Sequence, residues 1–175
     1  MRLLAHCICA LSLLALFGCG EKALTNVESG NAAQILHVAN GDEPRELDPQ
    51  LTTGSTEHNI LFTLFEGLVK KDSRTLKVNP AIAERWDISE DQTTYRFYLR
   101  ESARWSNGDK LTAHDFVYSW KRSLMPAFGS EWAYMKYYIK NAEAFNQGKI
   151  DDFSQVGVHA IDDHTLEVEL NYPTH

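Results

Sequence analysis

Beyond residue 19 this chain has no cysteine; Cys7, Cys9 and Cys19 are the three it carries. The body of the protein therefore has no disulfide, no thiol nucleophile and no cysteine-based metal site. Positive charge is also scarce. Lys and Arg number 17 against 24 Asp and Glu, for a formal net charge of -7. Basic residues come only in short pairs such as Lys70-Lys71 and Lys121-Arg122, which read as solvated surface, so no nucleic-acid partner is expected. The seven histidines, at 6, 37, 58, 114, 159, 164 and 175, show neither H-x-x-x-H nor H-E-x-x-H spacing. No metal site is expected from them. No G-x-S-x-G elbow occurs, and there is no internal repeat or low-complexity block. What remains is an ordinary globular composition, 43% hydrophobic and 23% charged, enough for one domain with a core.

One long apolar run is present, at the N-terminus. "MRLLAHCICALSLLALFGC" has a cation at Arg2 and then an apolar stretch from Leu3 to Gly18. It is short for a membrane-spanning helix and has the build of an export signal. It ends in Leu16-Phe17-Gly18-Cys19, which resembles a bacterial lipobox, although Phe17 is larger than such signals prefer. The expectation is a lipoprotein signal over residues 1–19, with lipid on Cys19 holding a soluble domain at a membrane surface. Residues 20–33, "GEKALTNVESGNAA", are small and polar without a sustained period, and read as a flexible tether. The folded domain is expected over 34–175.

Within that domain, "ILHVAN" (35–40) reads as a strand, and "GDEPRELDPQ" (41–50) breaks regular structure at Gly41, Pro44 and Pro49. "EHNILFTLFEGLVK" predicts a helix with Ile60, Leu61, Leu64, Phe65 and Leu68 on one stripe and Gly67 as its C-terminal cap. "LVKKDSRTLKVNP" predicts a hairpin around Asp72-Ser73. "AIAERWDI" (81–88) reads as a short helical turn with Ile82 and Trp86 on one side. "TTYRFYLR" alternates, Tyr95, Phe97 and Leu99 against Arg96, Tyr98 and Arg100. "EWAYMKYYIKNAEAFNQGK" predicts one or two helices ended by Gly148. "VGVHAIDDHTLEVELN" predicts a hairpin across Asp162-Asp163. The irregular mixture of helices and strands implies an α/β or α+β fold with a mixed sheet.

"RWSNGDKLTAHDFVYSWKR" (104–122) concentrates Ser, Asn, Asp, Lys, Thr and His, and raises the question of catalysis. Ser106 lies in a turn. His114 and Asp115 are consecutive, so on a helix they point about 100° apart and cannot orient one another. A triad is not expected. The same residues make a good turn and helix start. Gly108 is free to take positive φ in the Ser106–Asp109 turn. Thr112 is an N-cap with Asp115 three residues on, and Phe116, Val117, Trp120 and Leu124 form the apolar face of a helix stopped by Pro126.

The ordered set "ELDPQ", "LFEGLV", "NPAIAERWDIS", "YRFYLRESARWSNGDKLTAHDFVYSWKR", "IKNAEAFNQGK" and "GVHAIDDHTLEVELNYPT" resembles the N-terminal part of the extracytoplasmic peptide-binding proteins of ABC transporters, solute-binding family 5. The resemblance runs from about Leu36 to Thr174. It implies an incomplete first lobe of a two-lobed periplasmic-binding-protein-like fold, since family members are several times longer. It implies an oligopeptide ligand, ABC permease subunits as partners, a membrane surface reached through the lipid anchor, a periplasmic or cell-envelope location, no catalytic residues and no cofactor. Murein peptides, nickel complexes and peptide signals are alternative ligands within the family, and a nonfunctional gene remnant is a further alternative. By position in the family pattern, Thr53, Gly54 and Ser55 in "QLTTGST" border the ligand backbone, with Thr53 standing where an acidic residue is common. The same pattern puts Trp132, in "SEWAYM", against the ligand. An exposed, extended backbone suits a ligand of variable side chains, and Gly54 allows close approach.

Overall fold

The computed structural model describes residues 23–174. The segment read as an export signal, Cys19 and the first residues of the expected tether lie outside them. The described chain falls into two compact units that meet in sequence between Asn40 and Gly41.

In the first unit, Asn26–Ala33 form a helix, α1, where the small polar composition predicts no regular structure. Its cause is local. Thr25 and Glu28 make a capping box, the Glu28 carboxylate accepting the Thr25 N–H at 2.8 Å. Gln34 takes a left-handed conformation, and the Ile35 N–H returns to the Gly30 carbonyl at 2.9 Å. The strand expected over 35–40 does not form. Leu36 and Val38 stand exposed in irregular chain. Alternation alone does not make a strand without a neighbouring strand to take its backbone hydrogen bonds.

The second unit opens with α2, Ser55–Leu64. It is shorter than the apolar stripe predicts. Phe65 already has extended backbone, and Leu64 and Phe65 are exposed. Gly67 is not a left-handed cap; its carbonyl accepts the Ile82 N–H at 3.1 Å. The expected hairpin follows as β1 (Val69–Lys71) and β2 (Val78–Pro80), paired antiparallel. Its turn is organised by Asp72, whose Oδ1 accepts the Arg74 and Thr75 N–H groups.

The main sheet has four antiparallel strands: β3 (Ala83–Ile88), β4 (Thr94–Leu99), β5 (Val158–Asp162) and β6 (Thr165–Glu169), in the order β3-β4-β6-β5. The segment 81–88, read as a helical turn, is therefore mostly a strand. Ile82 and Trp86 are four apart and mimic a helical face, but cross-strand partners decide the outcome. Trp86 sits opposite Phe97 and Ile88 opposite Tyr95. The β5–β6 hairpin has the predicted pairing, with Val158 opposite Val168 and Ala160 opposite Leu166.

One face of the sheet carries Leu99, Leu166, Val168 and Val158 into the core, with Tyr95 and Phe97 half-buried beside them. Helix α3, Ala113–Leu124, packs against β5 and β6 and brings Leu124, fully buried, to Leu166 and Val156 in that core. The short helix α4, Ala142–Asn146, adds Phe145, whose ring meets Phe153 edge-on at 5.1 Å. Removing this apolar area from water is the main stabilising term. The opposite sheet face is polar: Arg96 pairs with Glu167, and the Arg85 guanidinium lies 3.4 Å over the Tyr98 ring. Among the described residues no helix is long and apolar enough to cross a membrane.

Candidate functional site

The stretch 104–122 divides as its spacing predicts. Arg104 and Lys110 pair across a tight turn in which Gly108 has φ of 95°. At the start of α3, Asp115 Oδ2 accepts the Thr112 N–H at 2.7 Å and its hydroxyl at 3.0 Å. His114 turns away from Asp115, and its Nε2 lies 3.8 Å from Asp163 Oδ1, both side chains largely exposed. The β5–β6 turn also closes the helix start, its Asp163 carbonyl accepting the Ala113 N–H at 2.9 Å. Asn107, Asp109, Thr112 and Asp115 thus have turn or capping roles.

The segments singled out as ligand-facing come together although Trp132 and Thr52 are 80 positions apart in sequence. The Trp132 indole N–H donates to the Thr52 carbonyl at 2.7 Å, one residue before Thr53. Thr53, Gly54 and Ser55 are all exposed, and Trp132 is half-buried. Gly54 is the N-cap of α2 with ordinary extended backbone, φ -86° and ψ 149°. Its missing side chain has an internal reason. A Cβ there would collide with the Glu57 carboxylate, which folds back over the helix start and accepts the Arg45 N–H at 2.9 Å. That backbone hydrogen bond, followed by the one from Glu57's own N–H, holds the Glu57 carboxyl below the usual range.

The loop before Thr53 is held by a network that single-residue motifs do not reveal. On the last turn of α3, Arg122 reaches back to Asp48 with Nη2 at 2.6 Å from Oδ2 and Nη1 at 3.1 Å from Oδ1. Nη1 also donates to Gln50 Oε1 at 3.0 Å. This two-pronged contact is the geometry guanidinium suits best. It holds the Asp48 carboxyl below its ordinary range, the Arg122 hydrogen bond being the main cause, and pushes the guanidinium up in turn. Gln50 Nε2 donates to the Ser119 carbonyl at 2.8 Å and to its Oγ at 2.7 Å. The Ser130 hydroxyl donates to the Gln50 carbonyl at 2.6 Å. Asp48 itself caps the loop, its carbonyl accepting the Leu51 and Thr52 N–H groups. "LDPQ" and "SWKR" carry opposite charges, but they are 74 positions apart, and no local pattern ties them.

Trp132 also starts an aromatic surface. Its ring lies 6.4 Å from Tyr134, and Tyr134, Met135, Tyr138 and Tyr172 line an open groove of about 430 Å³. Among the described residues no group of three or more His, Cys, Asp or Glu could hold a metal ion.

Comparison with known proteins gives the family. Residues 77–175 match the family described as bacterial extracellular solute-binding proteins, family 5, middle. This chain belongs to that family. It is similar to the dipeptide-binding protein DppE of Bacillus subtilis, 39% identical over 91% of this chain and 30% of the relative. Among solved structures it is similar to Haemophilus influenzae OppA in complex with the peptide RPPGFSPFR. That pair is 41% identical with a TM-score of 0.70, covering 77% of this chain and 26% of the other. The Escherichia coli murein tripeptide binding protein MppA is 39% identical with a TM-score of 0.71, at 76% and 26% coverage. The chain thus spans under a third of the length of these relatives. Its mixed α/β architecture is part of the first lobe of a periplasmic-binding-protein-like fold, and the relatives are binding proteins rather than enzymes.

Proposed function

We propose that this chain is a first-lobe portion of the substrate-binding component of an ABC importer. Such a protein captures oligopeptides outside the inner membrane and delivers them to permease subunits. The observation that carries the reading is the Trp132–Thr52 hydrogen bond. It joins a half-buried aromatic to the exposed residues Thr53 and Gly54, which lead into α2 at Ser55, and so sets a flat apolar contact beside exposed backbone. Peptide backbone can be gripped there with little demand on side-chain identity. The similar proteins, two named for a dipeptide and a murein tripeptide and one solved with a nonapeptide, support the ligand class. Lipid attachment at Cys19 and retention at the cell envelope complete the reading, with no catalytic group, metal or cofactor of its own.

Two-lobed binders trap ligand by closing one lobe on the other. This chain, by itself, is expected to bind more weakly than micromolar. The test is titration of the isotope-labelled 175-residue chain with RPPGFSPFR up to millimolar concentration. Amide resonances of Thr53, Gly54 and Ser55 and the indole resonance of Trp132 should shift while sheet residues such as Phe97 and Leu166 do not. A titration that leaves all four unmoved refutes the site. Calorimetry showing micromolar or tighter affinity refutes the need for a second lobe.

A further inference from the structure

We propose that Arg122 is the positioning residue of the segment from Asp48 to Ser55, holding it through Asp48 and Gln50 so that the Thr52 carbonyl stays on Trp132. Its importance for ligand capture rests on the reading above; the positioning itself does not.

Residues 48–52 form a turn and irregular chain with no strand partner. Ordering such chain costs about 1–2 kcal/mol of backbone entropy per residue, so something must hold it. The holds come from α3 and from the stretch just after it. Arg122 contributes three hydrogen bonds, two to the Asp48 carboxylate and one to Gln50 Oε1. Gln50 uses the other end of its amide on Ser119, one turn earlier on the same helix. Ser130 takes the Gln50 carbonyl, and Trp132 takes the Thr52 carbonyl. The Arg122 guanidinium is in turn seated on the Phe128 ring, 4.0 Å from its centroid. Arg122 is the residue that holds two side chains of this segment at once. It grips the residue that starts the turn and the side chain that docks the turn on α3. Trp132 alone holds only the last carbonyl.

The contrast with the other ion pairs is instructive. Arg96–Glu167 and Lys140–Glu169 each cross structure already fixed by backbone ladders, the first between two paired strands. Surface pairs of that kind add little. Arg122–Asp48 joins a helix to a loop with no ladder of its own, so its loss is felt in position.

The test uses the whole chain and three variants. Arg122→Met keeps an aliphatic side chain and removes the guanidinium, with its hydrogen bonds and its seat on the Phe128 ring. Arg122→Lys keeps the charge but cannot meet both Asp48 oxygens and Gln50 together. Gln50→Met removes the docking on α3 and leaves the ion pair. Hydrogen exchange is followed at the Trp132 indole N–H, at the Leu51 and Thr52 amides, and at the Phe97 and Leu166 amides in the sheet. Arg122→Met should speed exchange at the first three by roughly tenfold or more, leaving the sheet unchanged. Arg122→Lys should restore part of the protection. If Arg122→Met does not fold, Gln50→Met should show the same loop-confined pattern. The proposal is overturned if the loop and indole exchange as in the parent chain. It is equally overturned if loop and sheet accelerate together, which would make Arg122 a general stabiliser. Adding RPPGFSPFR separates the two readings. If the peptide shifts nothing in the parent chain while the exchange pattern holds, the ligand assignment fails and the positioning role stands.

Discussion

Trp132→Phe isolates one interaction at the candidate site. The phenyl ring keeps an aromatic in place but has no N–H, so the Thr52 carbonyl loses the donor it has at 2.7 Å. An acceptor orphaned away from water costs about 1–3 kcal/mol, and an ordinary hydrogen bond contributes about 0.5–1.5 kcal/mol net. Thr52 is half-buried, so water can replace part of the lost bond, and the lower half of the range applies. The smaller ring also gives up some buried apolar area at about 25 cal/mol per Å². Together these give about 1–2 kcal/mol. For a chain of this size that lowers the thermal midpoint by about 2–8 °C. Far-ultraviolet circular dichroism against temperature and urea measures it without relying on tryptophan emission. Hydrogen exchange at Leu51 and Thr52 should accelerate in the same variant. An unchanged midpoint together with unchanged exchange would refute the role assigned to the indole N–H, and with it the link between Trp132 and the Thr53–Ser55 segment.

Gly157→Ala should be costly. Gly157 is buried, and an added Cβ would lie 2.6 Å from the Glu169 carbonyl oxygen, 2.8 Å from Glu169 Cβ and 3.0 Å from Lys140 Cβ. Backbone on that side cannot swing away, so a loss of about 1–3 kcal/mol is expected in urea unfolding; a neutral variant would refute the crowding. Ser106→Ala and His114→Ala, at exposed positions, should each stay within about 0.5 kcal/mol of the parent chain. Neither should abolish any ester or peptide hydrolysis, and a hydrolytic activity lost in both would restore a catalytic reading. Acid should release the loop through Asp48. Its carboxyl is held low by Arg122 in the folded chain, so the stabilisation is complete above the ordinary Asp value of about 3.9. It is lost as pH falls through the lower folded value. The Trp132 indole N–H resonance followed against pH in the parent chain and in Asp48→Asn should differ by that acid step, and identical profiles would refute it.

Features written in adjacent residues were legible. Thr112, Asp115 and Pro126 set both ends of α3 because capping and helix termination act within a turn. The alternation of Tyr95, Phe97 and Leu99 and the turn at Asp162-Asp163 likewise identified β4 and the β5–β6 hairpin. What was misread depends on partners distant in sequence. Residues 83–88 become a strand because Tyr95 and Phe97 stand opposite Ile88 and Trp86, which outweighs the four-residue spacing of Ile82 and Trp86. Residues 35–40 alternate as a strand should, yet have no strand beside them among the described residues. Helix α1 was missed for the opposite reason. The Thr25–Glu28 box is local and readable, but the small polar composition of "NVESGNAA" hid it.

The site shows the same division at finer scale. The resemblance pointed to Thr53–Ser55 and to Trp132, and the structure joins the two through Thr52. The residues doing the joining, Asp48, Gln50, Ser119 and Arg122, looked like ordinary turn and helix-surface residues. On the other side of the segment, Glu57 folds over Gly54 to the Arg45 N–H. Thr53 to Ser55 are therefore exposed between two restrained ends. A stretch ordered during folding has already lost its backbone entropy, so a ligand strand laid beside it need not supply that ordering when it binds. Restraint at both ends with exposure between them favours the proposed backbone recognition, and the restraint comes from the Glu57 carboxylate, the Arg122 guanidinium and the Trp132 indole.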